Sequence, residues 1–241
     1  MRKYLDPIHP RFDLCDAFND SECAVCVLGR RSVERYLAAI NDESVADARV
    51  RQHFRDAGGF CNVHAYQWLS RGFVLETASL YHELLQALAS KIGAHQYHAQ
   101  SFVDRFRTFM DEMLTGATSK HQSERCPVCA WLAQTESMLL ITLVTSLDEP
   151  DFRSAYLASV GLCVPHLERA MHLAHREDIF TLLQDHARTD IECLTAQITE
   201  IIEKYGHQDQ QALPDDEGGI VARAVAQIIG FRGRTDGEKL R

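Results

Sequence analysis

Eight residues of this chain have the types and spacing for soft-metal chemistry. Cys23 and Cys26 form a C-x-x-C pair and Cys61 and His64 a C-x-x-H pair; Cys126, Cys129 and Cys163, His166 repeat the two in the same order. Thiolate sulfur and imidazole nitrogen are the ligands that zinc and similar ions prefer. The gap between pairs is 34 residues in the first copy and 33 in the second. The copies are offset by 103 residues at the first pair and 102 at the second. Random placement would give about 0.2 C-x-x-C and about 0.4 C-x-x-H pairs in a chain of this composition, so two of each at matched offsets read as an internal repeat. The flanks agree: "SECAVC" answers to "SERCPVC", and "GGFCNVH" to "VGLCVPH".

Proximity along the chain assigns Cys23, Cys26, Cys61 and His64 to one tetrahedral site and Cys126, Cys129, Cys163 and His166 to another. Three thiolates and one imidazole fill all four positions of a structural zinc site and leave none for water or substrate. The expected cofactor is therefore zinc, two per chain, with an iron–sulfur cluster as the alternative. A thioredoxin-like role for C-x-x-C lacks its βαβ context. The expected function is a zinc-stabilised binding or regulatory protein without catalysis of its own. The competing readings are an iron–sulfur redox or sensor protein, and a metalloenzyme using a displaceable ligand such as His64 or His166 or a separate Glu/His site.

Glu168, His172 and His175 share one stripe of the helix after Cys163 and are the candidates for that separate site. The first half has Tyr66, Ser70 and Phe73 at the equivalent places. Because the stripe runs beside the apolar one, a solvated flank is the expectation. His53 is expected as a core histidine near the first metal, Cys193 as a packed thiol, and Cys15, in a loop-like stretch, as a spare ligand or free thiol.

The elements that must position the ligands read as helices. Val33, Tyr36, Leu37 and Ile40 follow helical spacing, as do Val50, His53, Phe54 and Ala57. Further stripes are Val74, Ala78, Tyr81, Leu85, Leu88 and Ile92; Phe102, Phe106, Phe109 and Met113; and Ala187, Ile191, Leu194, Ile198, Ile201 and Tyr205. No convincing alternation of polar and apolar residues marks a strand. A helix over about 27–40, a turn and cap at "NDES" (41–44) and a return helix stopped by Gly58 and Gly59 would bring each ligand pair to one end of a hairpin. Pro127 and Pro165 suit first helical turns. In "GGFCNVH" the glycines let the chain swing toward the metal, Cys61 and His64 share one helix face, and Phe60 seals the site. The expected fold is all-α: two repeated helical-hairpin halves, each pinned by a Cys3His site, packed as a bundle. The halves are 1–114 and 126–205, joined by 115–125 and followed by a linker, a short helix at about 220–229 ended by Gly230, and a tail within 206–241.

Composition narrows the partners. Lys plus Arg is 25 against 34 Asp plus Glu, a net charge of -9. That disfavours phosphate-backbone binding, which needs a basic face; the local cluster Arg30, Arg31 and Arg35 is the exception to watch. The most apolar stretch, 131–147, has Gln134 and Glu136 inside it. It falls short of a membrane span and reads as a buried helix. No secretory signal follows the basic start, so a cytoplasmic location, free or metal-bound cysteines and a possible protein partner are expected.

The motifs "CAVC…GFCNVHAYQWL", "CPVC…DEPDFRSAYLASVGLCVPHL" and "EIIEKYGHQ…VARAVAQIIG" resemble a prokaryotic family catalogued as domain of unknown function 6062, over roughly residues 20 to 230. Ala24 stands where that family usually has proline, at a spacer position. The resemblance implies the helical fold and the paired sites, and it assigns no activity.

Overall fold

In the computed structural model the described residues are 9–43, 47–72, 74–93, 126–205 and 215–230. They form ten helices and, among the described residues, no strand. The order is α1 (Pro10–Ala17), α2 (Ala24–Glu43), α3 (Ala48–Asp56), α4 (Asn62–Ser70), α5 (Val74–Gly93), α6 (Pro127–Ser146), α7 (Pro150–Leu157), α8 (Val164–Leu173), α9 (Glu177–Tyr205) and α10 (Asp215–Ile229). The all-α reading stands. The expected stripe Phe102–Met113, the joint 115–125 and the tail beyond 230 lie outside the described residues.

The chain folds into two compact units that are not the two sequence halves. One draws on Val33–Ala133; the other combines Pro7–Ser32 with Gln134–Arg241. The boundaries fall inside α2 and α6, so each unit takes its C-x-x-C pair from one half and its C-x-x-H pair from the other. Each unit has its own core. The first packs Tyr36, Leu37, Phe54, Phe60, Trp68 and Leu80, with Phe54 and Phe60 edge-to-face at 4.8 Å. The second packs Leu14, Phe18, Leu139, Leu143, Phe152, Tyr156 and Leu183, with Phe18 edge-on to Phe152 and to Tyr156. Burying side chains of this size contributes about 1.5–3 kcal/mol each.

The first expected hairpin, with its matched arms, fails on arm length. α2 is 20 residues long and continues through Asn41–Glu43, where a turn was expected. Nothing there forces a stop: no Pro or Gly intervenes. The return helix α3 has only 9 residues. At a rise of about 1.5 Å per residue, α2 carries the chain out by about 30 Å and α3 brings it back by only about 13 Å. In the second half the stretches 131–147 and about 150–159 already predict a longer outward arm, and the structure has it, with 20 residues in α6 against 8 in α7.

The caps follow local chemistry. Asp47 accepts a hydrogen bond from the Arg49 N–H at 2.8 Å and starts α3. Gly58 and Gly59 end it with φ of 73° and 91°. The Gly59 N–H donates to the Phe54 carbonyl at 2.9 Å, closing the helix as left-handed glycines do.

α6 starts where Pro127 suits a first helical turn, and is longer than the apolar stretch 131–147 alone. It begins at Pro127, so its 20 residues are, by length and composition, enough to cross a membrane. Its buried Leu139, Leu140, Leu143 and Val144 pack in the core of one unit, and Val128 in that of the other. On α5 the buried side is Leu80, with Tyr81 and Leu84 partly buried, whereas Val74, Leu85, Leu88 and Ile92 of the expected stripe are exposed.

Candidate metal centres

All four ligand pairs sit at helix starts. Cys23 and Cys126 immediately precede α2 and α6, and their carbonyls accept from the N–H groups of Val27 and Ala130. Cys61 and Cys163 are the N-caps of α4 and α8, neither using its side chain as a cap. The thiol is left to point at the site, where the positive end of the helix favours its thiolate. Three residues on, His64 and His166 return to the same face: each Nδ1 lies 3.2 Å from the Sγ of its own cysteine.

The structure brings all eight residues together as two sets, but not the sets that proximity along the chain assigned. The first centre is Cys23, Cys26, Cys163 and His166; the second is Cys61, His64, Cys126 and Cys129. Within each, the ligand atoms lie within 4.8 Å of one another. The expected grouping of Cys23 and Cys26 with Cys61 and His64, and of Cys126 and Cys129 with Cys163 and His166, is corrected. The short return arms are the physical reason. Each centre lies wholly inside one compact unit.

The edge lengths test whether a single ion fits. A tetrahedral ion with about 2.3 Å to sulfur and about 2.0–2.1 Å to nitrogen has S···S edges of about 3.8 Å and S···N edges of about 3.6 Å. In the first centre His166 Nδ1 stands 3.5 Å from the Sγ of both Cys23 and Cys26, and Cys26 Sγ is 3.7 Å from Cys163 Sγ. In the second, His64 Nδ1 stands 3.6 Å from Cys126 Sγ and 3.4 Å from Cys129 Sγ, and Cys61 Sγ is 3.6 Å from Cys129 Sγ. Both sets could hold a metal ion. None of the eight cysteines is in a disulfide.

The electrostatics suit a cation. Burial works against charge on the His166 ring, yet Cys163, Cys23, Cys26 and Glu136 together outweigh it and push the imidazole well above its ordinary range. In the second centre the Cys129 thiol pulls Cys126 down to about 3 against its burial, with His64 and backbone groups helping. Cys129 is pushed up by that same neighbour, and burial raises Cys61.

Sequence reasoning missed Glu136 and Arg169. Glu136, buried within α6, sets Oε1 3.6 Å from His166 Nε2, an ionic rather than hydrogen-bonding distance, and accepts from Arg169 Nη1 at 2.7 Å. The signal was available: a carboxylate inside the most apolar stretch of the chain must be paired if it is buried. Ser32 Oγ and Thr135 Oγ1, both buried, meet at 3.3 Å in the same unit.

The other candidates scatter. Glu168, His172 and His175 are exposed; His172 Nδ1 contacts the Glu168 carbonyl and His175 pairs with Asp148, so the solvated flank is what the structure shows. His53 is exposed, not a core histidine: Phe54 is the residue α3 buries. Cys193 is exposed rather than packed, and Cys15 lies on α1, half-buried, rather than in a loop. Arg30 and Arg31 are paired with Glu22 and Asp20.

No solved structure matches the chain. An uncharacterised 23.9 kDa protein from the xynA 3′ region of Caldicellulosiruptor sp. (strain Rt8B.4) is 23% identical over 175 residues, covering 71% of this chain and 78% of that protein. The model of a family of unknown function, DUF6062, matches residues 10–230, the whole span that holds the ten helices and both centres, and the chain belongs to that family.

Proposed function

We propose that this is a zinc protein with two structural Cys3His sites and no catalysis of its own, acting as a binding or regulatory protein in the reducing environment of the cytoplasm. The observation that carries the reading is the pair of closed four-ligand sets. Each has one-ion edge lengths, whereas an iron–sulfur cluster would need room between the sulfurs for several irons. Imidazole as the fourth ligand suits zinc better than a cluster. Cys23, Cys26, Cys163 and His166 would hold one ion and Cys61, His64, Cys126 and Cys129 the other. The ion supplies cross-linking: it ties helix starts far apart in the sequence and so becomes part of the folding free energy. With three thiolates and an imidazole around it, no position remains to activate water. Arg30 and Arg31 being paired, and the net charge of -9, count against a nucleic-acid partner.

Metal analysis and an absorption spectrum on anaerobically purified protein test this. The expected result is two zinc ions per chain and a colourless protein. A brown protein absorbing near about 400 nm would replace zinc by iron–sulfur chemistry.

A further inference from the structure

We infer that the two centres divide into one permanent and one exchangeable metal site, the second giving up its zinc, or taking another soft divalent cation, far faster than the first. This rests on the two-zinc reading above.

Two features close the first centre. Behind its imidazole stands the Glu136 carboxylate, itself held by Arg169, whose Nη2 also donates to Ser137 Oγ at 3.1 Å. A carboxylate behind a ligating histidine fixes the ring and raises its basicity. In front of the sulfurs lies the end of α10. A Cβ built on Gly230 would be 3.5 Å from Cys163 Sγ and 3.9 Å from Cys26 Sγ. A cavity of about 110 Å³ remains there, and Arg223 and Gln227 of α10 help to line it. Gln227 donates to the Leu162 carbonyl at 2.9 Å, and Arg223 is paired with Asp190, so these contacts hold α10 over those thiolates and narrow the approach to them.

The second centre has neither feature among the described residues. No hydrogen bond or ion pair reaches His64 Nε2, and Cys129 is half-buried where every ligand of the first centre is buried. Zinc leaves a thiolate site fastest where an incoming ligand can reach the ion as a sulfur departs. Cys129 is the sulfur that an incoming ligand can approach and displace.

The test follows metal release to a chromogenic chelator from the full-length zinc-loaded protein while iodoacetamide traps each freed thiol. Two phases are expected, at least tenfold apart. Cys61, Cys126 and Cys129 should be alkylated in the fast phase and Cys23, Cys26 and Cys163 in the slow one, with exposed Cys193 labelled at once as the internal reference. Glu136→Gln should speed the slow phase by about 10- to 100-fold and leave the fast one unchanged, with partial recovery in Glu136→Asp. Simultaneous release, the reverse labelling order, or a slow phase indifferent to Glu136→Gln would overturn the inference while leaving two bound zinc ions intact. Protein that binds no metal at all would instead overturn the zinc reading.

Discussion

Cys163 contributes to the same cluster as Cys23, in the opposite half of the chain, and to a different cluster from Cys129, the ligand that precedes it in the motif series. Metal stoichiometry in paired variants separates this arrangement from the one that sequence proximity favours. Cys23→Ser and Cys163→Ser should each bind one zinc, and so should the double variant, because both residues serve one centre. Cys23→Ser with Cys61→Ser should bind none. The opposite pattern would mean that the ligand sets lie within the halves. The eight residues gathered in the two clusters were legible in the sequence, since type and spacing announce them, and so was their position at helix starts. Glu136 carries no spacing signature; its signal is that a carboxylate in an apolar run must be paired once buried, and His166 and Arg169 are the partners the fold supplies. His186 offers a pH prediction. Burial lowers its pKa below the ordinary 6.5, with Asp190 and the Ser159 backbone only partly compensating. The unfolded chain therefore takes up the proton more readily than the folded one. Stability is complete above about pH 6.5 and falls as the pH drops through that range. Thermal melts from pH 7.5 to 5.5 should lose less stability in His186→Gln than in the wild type.

Helix lengths, not helix existence, decided the grouping of the ligands. The periodicities marked α2 and α3, and an apolar run opened by Pro127 marked α6. Asn41, Asp42 and Glu43, however, read equally well as a turn and as a last helical turn, because none forbids helix as Pro or Gly would. That ambiguity of a few residues turns a matched hairpin into one with a long and a short arm. The glycines after α3 are the firmer signal, and they are unequal. Gly58 and Gly59 both hold left-handed φ, but a Cβ on Gly58 meets nothing within 4 Å, whereas one on Gly59 lies 3.0 Å from Leu84 Cδ1. Gly58→Ala should cost about 1 kcal/mol for the backbone alone. Gly59→Ala should cost about 2–3 kcal/mol, the backbone term plus displacement of Leu84. Urea unfolding of the metal-loaded variants would measure the difference; equal costs would mean that Leu84 yields freely.

At the scale of the whole molecule, each centre ties together segments that the chain connects only by a long route. Chelation should therefore lower the melting temperature and expose Trp68, fully buried in one unit, to quenching. A metal-free protein melting with the holo form would contradict a structural role. The doubled motif spacing was legible and the crossing of the pairs between units was not, since gaps of 34 and 33 residues are compatible with either grouping. That crossing also sets an order of events on the ribosome. Had the sets followed the halves, the first would close once His64 had emerged. Instead no set is complete before Cys129, and the one begun by Cys23 waits for His166. At about 5–20 residues per second the thiols of Cys23 and Cys26 stand unligated for roughly 7–30 seconds of synthesis, open to the wrong ion or to each other. The first of the eight candidate ligands to be made are thus among the last to find their full set, and a nascent chain stalled before residue 166 carries them bare.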